Sequence, residues 1–454
     1  LSLIFSRLRF TKNIFFQSLA ACILLLFPLW YNGSPLYYPD SFGYIFWGIM
    51  GKNVPERVAS YAAFIQVFSF GISVWSCILI QGFLAAWIIR QLWAKILGLE
   101  ISAYFYFTCF ALGFGSSFGW TASMLMPDLF CAFSSILLFV LLFHRSKFSN
   151  AENALWIILF LAFSIQHVSI FLINCLICLI YFLIFLYNGK LQVLFRKSII
   201  PIFLIFTSYA GIGFVHFSRS GEFFISKSSS TFLFARLGEM GLVSNYLNQK
   251  CANPGSEICQ FKDRFPMGTE YFLWNENSPR DALGGLHDAH KIMGTANSEI
   301  LSQPKFMIQF AQQAFKGAFK QFFWYGNGDG LGTGYTGDQL KFFATDFADF
   351  KMSKQSNGIP FSAFDQICYA LLALLFFFAI RFKVIFGLSP EMKSFALFII
   401  ILLISNAFIN GTFSTPLNRY QARVFWLVYL WLFAALFPTM KFYFTSSKSE
   451  ELKT

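Results

Sequence analysis

The sequence predicts an all-α polytopic membrane protein of about ten transmembrane helices with an inserted extracytoplasmic domain. Three observations predict it. The 454 residues are 56% hydrophobic and 20% aromatic, with 64 Phe, and only 12% are charged, where soluble domains carry about 25%. Apolar runs long enough to cross a bilayer, roughly 20 residues, recur along the chain. The basic excess behind the formal charge of +12 sits in short loops, as the positive-inside rule requires. These loops are Arg7/Arg9/Lys12, Arg90/Lys95, Arg145/Lys147, Lys190/Arg196/Lys197 and Arg381/Lys383/Lys393. The charge is therefore an orientation signal, and nucleic acid is not an expected partner.

In order, the apolar runs predict spans near 14–31, 71–89, 101–117, 128–144, 153–166, 168–187 and 198–217, then 364–381, 393–411 and 422–440. The first run continues through Leu25 and Phe27 to Trp30, which predicts an uncleaved first helix. Only Gln166-His167 interrupts the run 153–187, and these two residues are read as capping a tight turn between two helices. Ten spans put every basic loop on one side and both termini in the cytoplasm. The domain divisions are then 1–217, a transmembrane bundle with a first outer loop at 32–70; 218–362, an extracytoplasmic domain; and 363–454, the last helices and a cytoplasmic tail.

The loop 32–70 contains Phe42, Tyr44, Phe46 and Trp47 and is expected to lie at the membrane interface as short amphipathic helices. The segment from Arg219 to Pro360 holds 14 Lys/Arg and 13 Asp/Glu and is too long to be a structureless connection. Near 296–324 it turns helical and Phe-rich, with Lys305, Lys316 and Lys320. Such a helix either lies on the membrane surface or packs on its own domain. Cys251 and Cys259 stand alone in this polar segment and are the expected disulfide pair of an oxidising compartment. The other seven cysteines fall in apolar stretches as small hydrophobes.

Three constellations point to chemistry. Asp40, in Ser34-Pro35-Leu36-Tyr37-Tyr38-Pro39-Asp40-Ser41-Phe42-Gly43-Tyr44, is a carboxylate at the outer mouth of the first span, placed as a general base. The aromatic faces of Tyr37, Tyr38 and Tyr44 beside it suit a sugar ring. Asp128, in Met126-Pro127-Asp128, stands at another outer mouth and is read as holding a divalent cation, Mg or Mn, or the acceptor. For both acids a helix N-cap is the alternative. Arg419 and Arg423 precede the last span on the outer side, against the positive-inside bias, and suit phosphate, Arg419 before Arg423, which is one turn deeper; interfacial snorkelling is the alternative. Gly332-Thr333-Gly334-Tyr335-Thr336-Gly337 lacks a preceding strand, so it reads as a flexible loop. No nucleotide cofactor is expected.

An acid in the first outer loop, a second at a later outer helix mouth and a late outer arginine together resemble the GT-C superfamily of integral-membrane glycosyltransferases. The resemblance implies a polyprenyl-phosphate sugar donor, Asp40 activating the acceptor, Asp128 at a metal or acceptor position, and Arg419 on the lipid phosphate. Two departures are visible: fewer spans than many members have, and a soluble domain inserted after the seventh helix. The stretches Phe234-Ala235-Arg236-Leu237 and Phe272-Leu273-Trp274 with the two cysteines look most like uncharacterised bacterial members. The expected partners are the lipid bilayer of a bacterial inner membrane, the polyprenyl-phosphate-linked sugar and an envelope acceptor. A lipid or polysaccharide flippase and a non-catalytic scaffold are the rival classes. A flippase predicts charges near the bilayer midplane, whereas here they cluster at one mouth.

Overall fold

The structure is a computed structural model. It describes residues 13–451 except 52, 53, 55, 190, 253–255, 287 and 289, and excludes the side chains of 191–198, 290 and 439–451. Among the described residues the fold is helical, with one isolated β-bridge between Leu36 and Met124.

The first predicted span is two helices, α1 (Ile14–Leu25) and α2 (Phe27–Asn32). Pro28 has no N–H to continue the ladder, and the backbone leaves helical geometry at Leu26. The loop after it forms α3 (Pro39–Met50) and α4 (Ala59–Phe68), packed together. Next come α5 (Trp75–Gln91), which continues as a π-turn to Ile96, then α6 (Ala103–Gly115) and α7 (Ser117–Ser123). Ser116 separates the last two, extended and accepting from the Phe118 N–H at 3.1 Å. α8 (Leu129–Phe143) is buried from Leu129 to Leu142, so it runs through the middle of the bundle.

α9 (Asn150–Ser164) and α10 (Val168–Tyr187) divide the long apolar run. The break has a physical cause: His167 is extended, and its Nδ1 accepts from the Ser169 N–H at 3.1 Å, capping α10. α11 (Leu191–Ser220) completes this half. The last three helices are α19 (Phe361–Arg381), α20 (Pro390–Phe413) and α21 (Asn418–Glu451). Among the described residues six stretches are long and apolar enough to cross a membrane: Trp75–Ile96, Val168–Tyr187, Ile199–Ser220, Phe361–Arg381, Pro390–Phe413 and Asn418–Pro438. Of five shorter apolar helices among the described residues, α1, α6, α8 and α9 fall in other runs and α4 lies in the loop 32–70. This is a multi-pass helical membrane protein.

The segment 218–362 contains two different kinds of structure. Its first part comprises α12 (Ser229–Glu239), α13 (Leu242–Lys250), α14 (Thr269–Trp274), α15 (Thr295–Ser302) and α16 (Pro304–Phe323). These share their own apolar core around Phe234, Leu237, Leu247, Phe272 and Ile300, and Cys251 and Cys259 are disulfide-bonded there. The Phe-rich stretch near 296–324 is two helices, because Gln303 is extended and Pro304 starts α16. The second part, α17 (Ala344–Met352) and α18 (Lys354–Asn357), joins the core of the bundle through Leu340, Phe343 and Phe350. Asp346 accepts from Ser73 Oγ at 2.6 Å and the Val74 N–H at 2.9 Å, holding α17 at the start of α5.

Candidate active site

The bridge at Leu36 positions the first acid. The Leu36 N–H donates to the Ser123 carbonyl and the Leu125 N–H donates to the Leu36 carbonyl, both at 2.9 Å. The start of α3 is thereby set against the approach to α8, so Asp40 and Asp128 come to the same end of the bundle although 88 positions apart in the chain. Asp40 lies in the first turn of α3, where the N-cap position is taken by Tyr38. Its Oδ1 instead accepts from Arg57 Nη2 at 2.7 Å. Asp128 stands at the N-cap position of α8 but makes no side-chain cap bond. It accepts from Arg423 Nη1 at 3.2 Å, and both side chains are buried.

The two arginines of α21 differ completely. Arg423 is fully engaged: besides Asp128 it donates to Asn406 Oδ1, Asn410 Oδ1 and Ser169 Oγ at 3.0–3.3 Å. Arg419 lies against Tyr38, its guanidinium carbon 3.8 Å from that ring centroid and 5.1 Å from the Tyr420 centroid. Its Nε and Nη1 are buried and have no hydrogen-bond partner among the described residues. Arg419 is thus held by stacking, with donors left over.

Arg419, Asp40 and Arg57 line two adjoining cavities. One, of about 370 Å³, is also walled by Asp128, His167, Arg423 and the apolar Val168, Leu172, Ile409 and Phe413. The other, of about 490 Å³, is closed by Tyr38 together with Thr269, Glu270, Leu273 and Trp274 of α14. The Arg57 guanidinium lies 5.8 Å from the Trp274 ring centroid. Desolvation, then the charge of Asp40, holds the Glu270 carboxyl above its usual range. Burial likewise raises the Tyr38 hydroxyl, against the pull of Arg419. No protein-family model, curated protein or solved structure matches this chain.

Asp40, Asp128, Arg419, Arg423 and Tyr38 come together around these two cavities. Tyr37 and Tyr44, expected to bind substrate, are core residues instead. Tyr37 stacks on Phe42 at 5.7 Å, and its backbone is clamped by the Gln355 amide at 3.0 and 2.6 Å. Tyr44 packs edge-on to Tyr61 at 5.0 Å. Neither lines the two cavities.

The expected cation fits poorly. Each carboxylate is already met by an arginine, and no group of three His, Cys, Asp or Glu converges among the described residues.

Sequence reasoning missed Arg57, Glu270, Trp274 and Asp329. Arg57 carried a usable signal, because it too is an arginine outside the basic loops. Asp329 accepts from the Arg419 backbone N–H at 3.2 Å and from Asn418 Nδ2 at 3.3 Å. Its neighbour Gly330 has positive φ, and a Cβ there would lie 1.9 Å from the Tyr38 ring. The glycine-rich loop thus presses its bare backbone onto the ring that carries Arg419.

Proposed function

We propose that this chain is a membrane glycosyltransferase that moves a sugar from a polyprenyl-phosphate donor to an envelope acceptor. On this reading it has ten spans in a bacterial inner membrane, both termini are cytoplasmic, and the site faces the periplasm. The observation that carries the reading is Arg419: a half-buried arginine whose Nε and Nη1 are buried without a partner among the described residues, stacked on Tyr38 and sharing its cavities with Asp40. A buried cation without an acceptor is costly unless an anion comes to it. The cavity beside it has a wall of Val168, Leu172, Ile409 and Phe413, which suits an isoprenoid tail. Nucleotide sugars are absent outside the cytoplasm, so a lipid-linked donor follows from the proposed orientation.

In the reaction, the Asp40 carboxylate takes the proton of an acceptor hydroxyl through Oδ2, while Arg57 holds Oδ1. The hydroxyl oxygen attacks the anomeric carbon from the face opposite the phosphate. The bond from that carbon to the phosphate oxygen breaks, and its electron pair leaves with the polyprenyl phosphate. Arg419 Nε and Nη1 donate to the developing phosphate charge. Arg423 and Asp128 form the frame beside this step, since their charges satisfy each other.

The test is binding of a short-chain polyprenyl phosphate to the purified protein in lipid nanodiscs. Wild type should bind saturably, and Arg419→Ala should lose binding by about tenfold or more, as expected for charge-assisted hydrogen bonds. Equal binding by both proteins would remove the phosphate from Arg419.

A further inference from the structure

α16 divides its surface into three sectors. Phe306, Ala314, Gly317 and Gln321 are buried and fall within about 80° of the helix circumference. On another side Ile308, Phe315 and Phe319, each at least 62% exposed, fall within about 40°. Lys305, Lys316 and Lys320 lie in the adjacent sector of about 60°, with Phe323 on its edge toward the phenylalanines. Those lysines are exposed, and none makes an ion pair among the described residues. Lys320 Nζ lies 3.9 Å from the Trp324 ring centroid. A helix packed only on its own domain would present one polar face to water; this one presents a phenylalanine row with a lysine row beside it.

The surroundings put this surface beside helices that are long and apolar enough to cross a membrane. α16 crosses α20 so closely that a Cβ on Gly317 would lie 2.2 Å from the Gly411 carbonyl oxygen. Directly after α16, Tyr325 is buried against Tyr369 and Phe425, with ring centroids 5.9 and 4.5 Å away. Those partners lie eight and seven residues, roughly 10–12 Å, from the starts of two helical stretches, Phe361–Arg381 and Asn418–Pro438, that are long and apolar enough to cross a membrane. Phe323, 68% exposed, lies two positions before Tyr325. The exposed phenylalanines at this end of α16 are therefore level with the apolar parts of two helices that are long enough to cross a membrane.

We propose that α16 is an interfacial helix that binds anionic phospholipid in the leaflet at the Asp40 end of the bundle. The acyl chains cover Ile308, Phe315 and Phe319, and the lysine row meets the headgroup phosphates. A free phosphate would leave the phenylalanine row uncovered, so the ligand is a lipid. Because α16 runs through Tyr325 into the loop bearing Asp329, the lipid anchors the segment that holds the Arg419 backbone. This surface does not depend on the reaction proposed for the cavity.

The test uses full-length protein in nanodiscs of phosphatidylcholine with or without phosphatidylglycerol. Spin labels are placed at Phe319→Cys and Lys316→Cys in a Cys175→Ala/Cys178→Ala background. The label at 319 should be relaxed by oxygen and shielded from a water-soluble nickel complex, and the label at 316 should show the reverse. Lys→Gln at 305, 316 and 320 should lower the preference for phosphatidylglycerol, read by native mass spectrometry of retained lipid, by about fivefold per lysine. Lys→Arg at the same positions should keep it. Nickel access at 319 would put this face in water, and strong label–label coupling would put a second copy on it. An unchanged lipid preference in the Lys→Gln protein would detach the lysines from the headgroups. Each of these results overturns the proposal.

Discussion

Arg423 Nη1 donates to Asp128 Oδ1 at 3.2 Å, joining the second turn of α21 to the mouth of α8 with both side chains buried. Asn406 and Asn410 complete the shell of the guanidinium. Removing one member of such a pair strands a buried charge, which costs about 3–5 kcal/mol. Asp128→Ala should therefore lower the thermal stability of the detergent-solubilised protein steeply. Excess Mg should not restore it. Asp128→Asn with Arg423→Gln should recover much of the loss, because no unpaired charge remains. A single variant that melts like wild type would show that the pair does not hold the bundle.

Arg419 is the arginine whose replacement should change binding more than folding. Its stacking on Tyr38 and its free donors predict that Arg419→Lys retains charge but loses the planar fork. Affinity for polyprenyl phosphate should fall about tenfold, with a melting curve close to wild type. A lysine that binds equally well would mean that only charge matters there.

Much of the site was legible because a charge at the mouth of an apolar helix is expensive and needs a reason. That argument found Asp40, Asp128, Arg419 and Arg423. It preferred Arg419 because Arg423 lies one turn deeper, but it did not identify what engages Arg423, namely Asn406 and Asn410, one turn apart on α20. Two amides at that spacing inside an apolar span were an available signal. Tyr37 was misread because its neighbours in space, Phe350 and Gln355, are more than 300 positions away. Nothing local reports such a contact. Glu270 and Trp274 join the cavities through the packing of α14, which hydrophobic periodicity does not encode. Helix positions were legible from apolar runs, whereas the breaks at Leu26, Ser116 and Gln303 depended on single-residue geometry.

Glu239 links α12 to two other segments. Its carboxylate accepts from Arg236 Nη1 at 2.8 Å, Thr269 Oγ1 at 2.6 Å and Thr415 Oγ1 at 2.9 Å. Desolvation would raise its carboxyl, but these hydrogen bonds and the Arg236 charge outweigh it and hold the group below its usual range. A depressed folded-state value means that the stabilisation is complete above the unfolded value, about 4.3. It is lost as pH falls through the folded value. Wild-type melting temperature should thus drop on acidification below about pH 4.3, while Glu239→Gln starts lower at neutral pH and changes less. Parallel curves for the two proteins would contradict this.

The Cys251–Cys259 disulfide closes a short loop at the end of α13. Cys251→Ser/Cys259→Ser should lower stability by about 2–3 kcal/mol in the chain-entropy account. Proteolysis of the 229–306 region, followed by mass spectrometry, should show faster cleavage in that variant. An unchanged cleavage rate would mean that the surrounding core suffices.

Asp40 carries the central claim. Its carboxylate is ion-paired with Arg57 and lines both cavities beside Arg419, so its replacement by a near-isosteric amide should spare the fold and remove the base. The most direct measurement is mass spectrometry of envelope glycolipids, polysaccharides and glycoproteins from a deletion strain complemented with wild type or Asp40→Asn. Wild type should restore a sugar-sized mass increment on an envelope component. Asp40→Asn, present in the membrane at the same level, should restore it roughly 10²–10⁴-fold more slowly. Full restoration by Asp40→Asn, or no envelope difference between the deletion strain and wild type, would contradict the assignment of glycosyl transfer to this site.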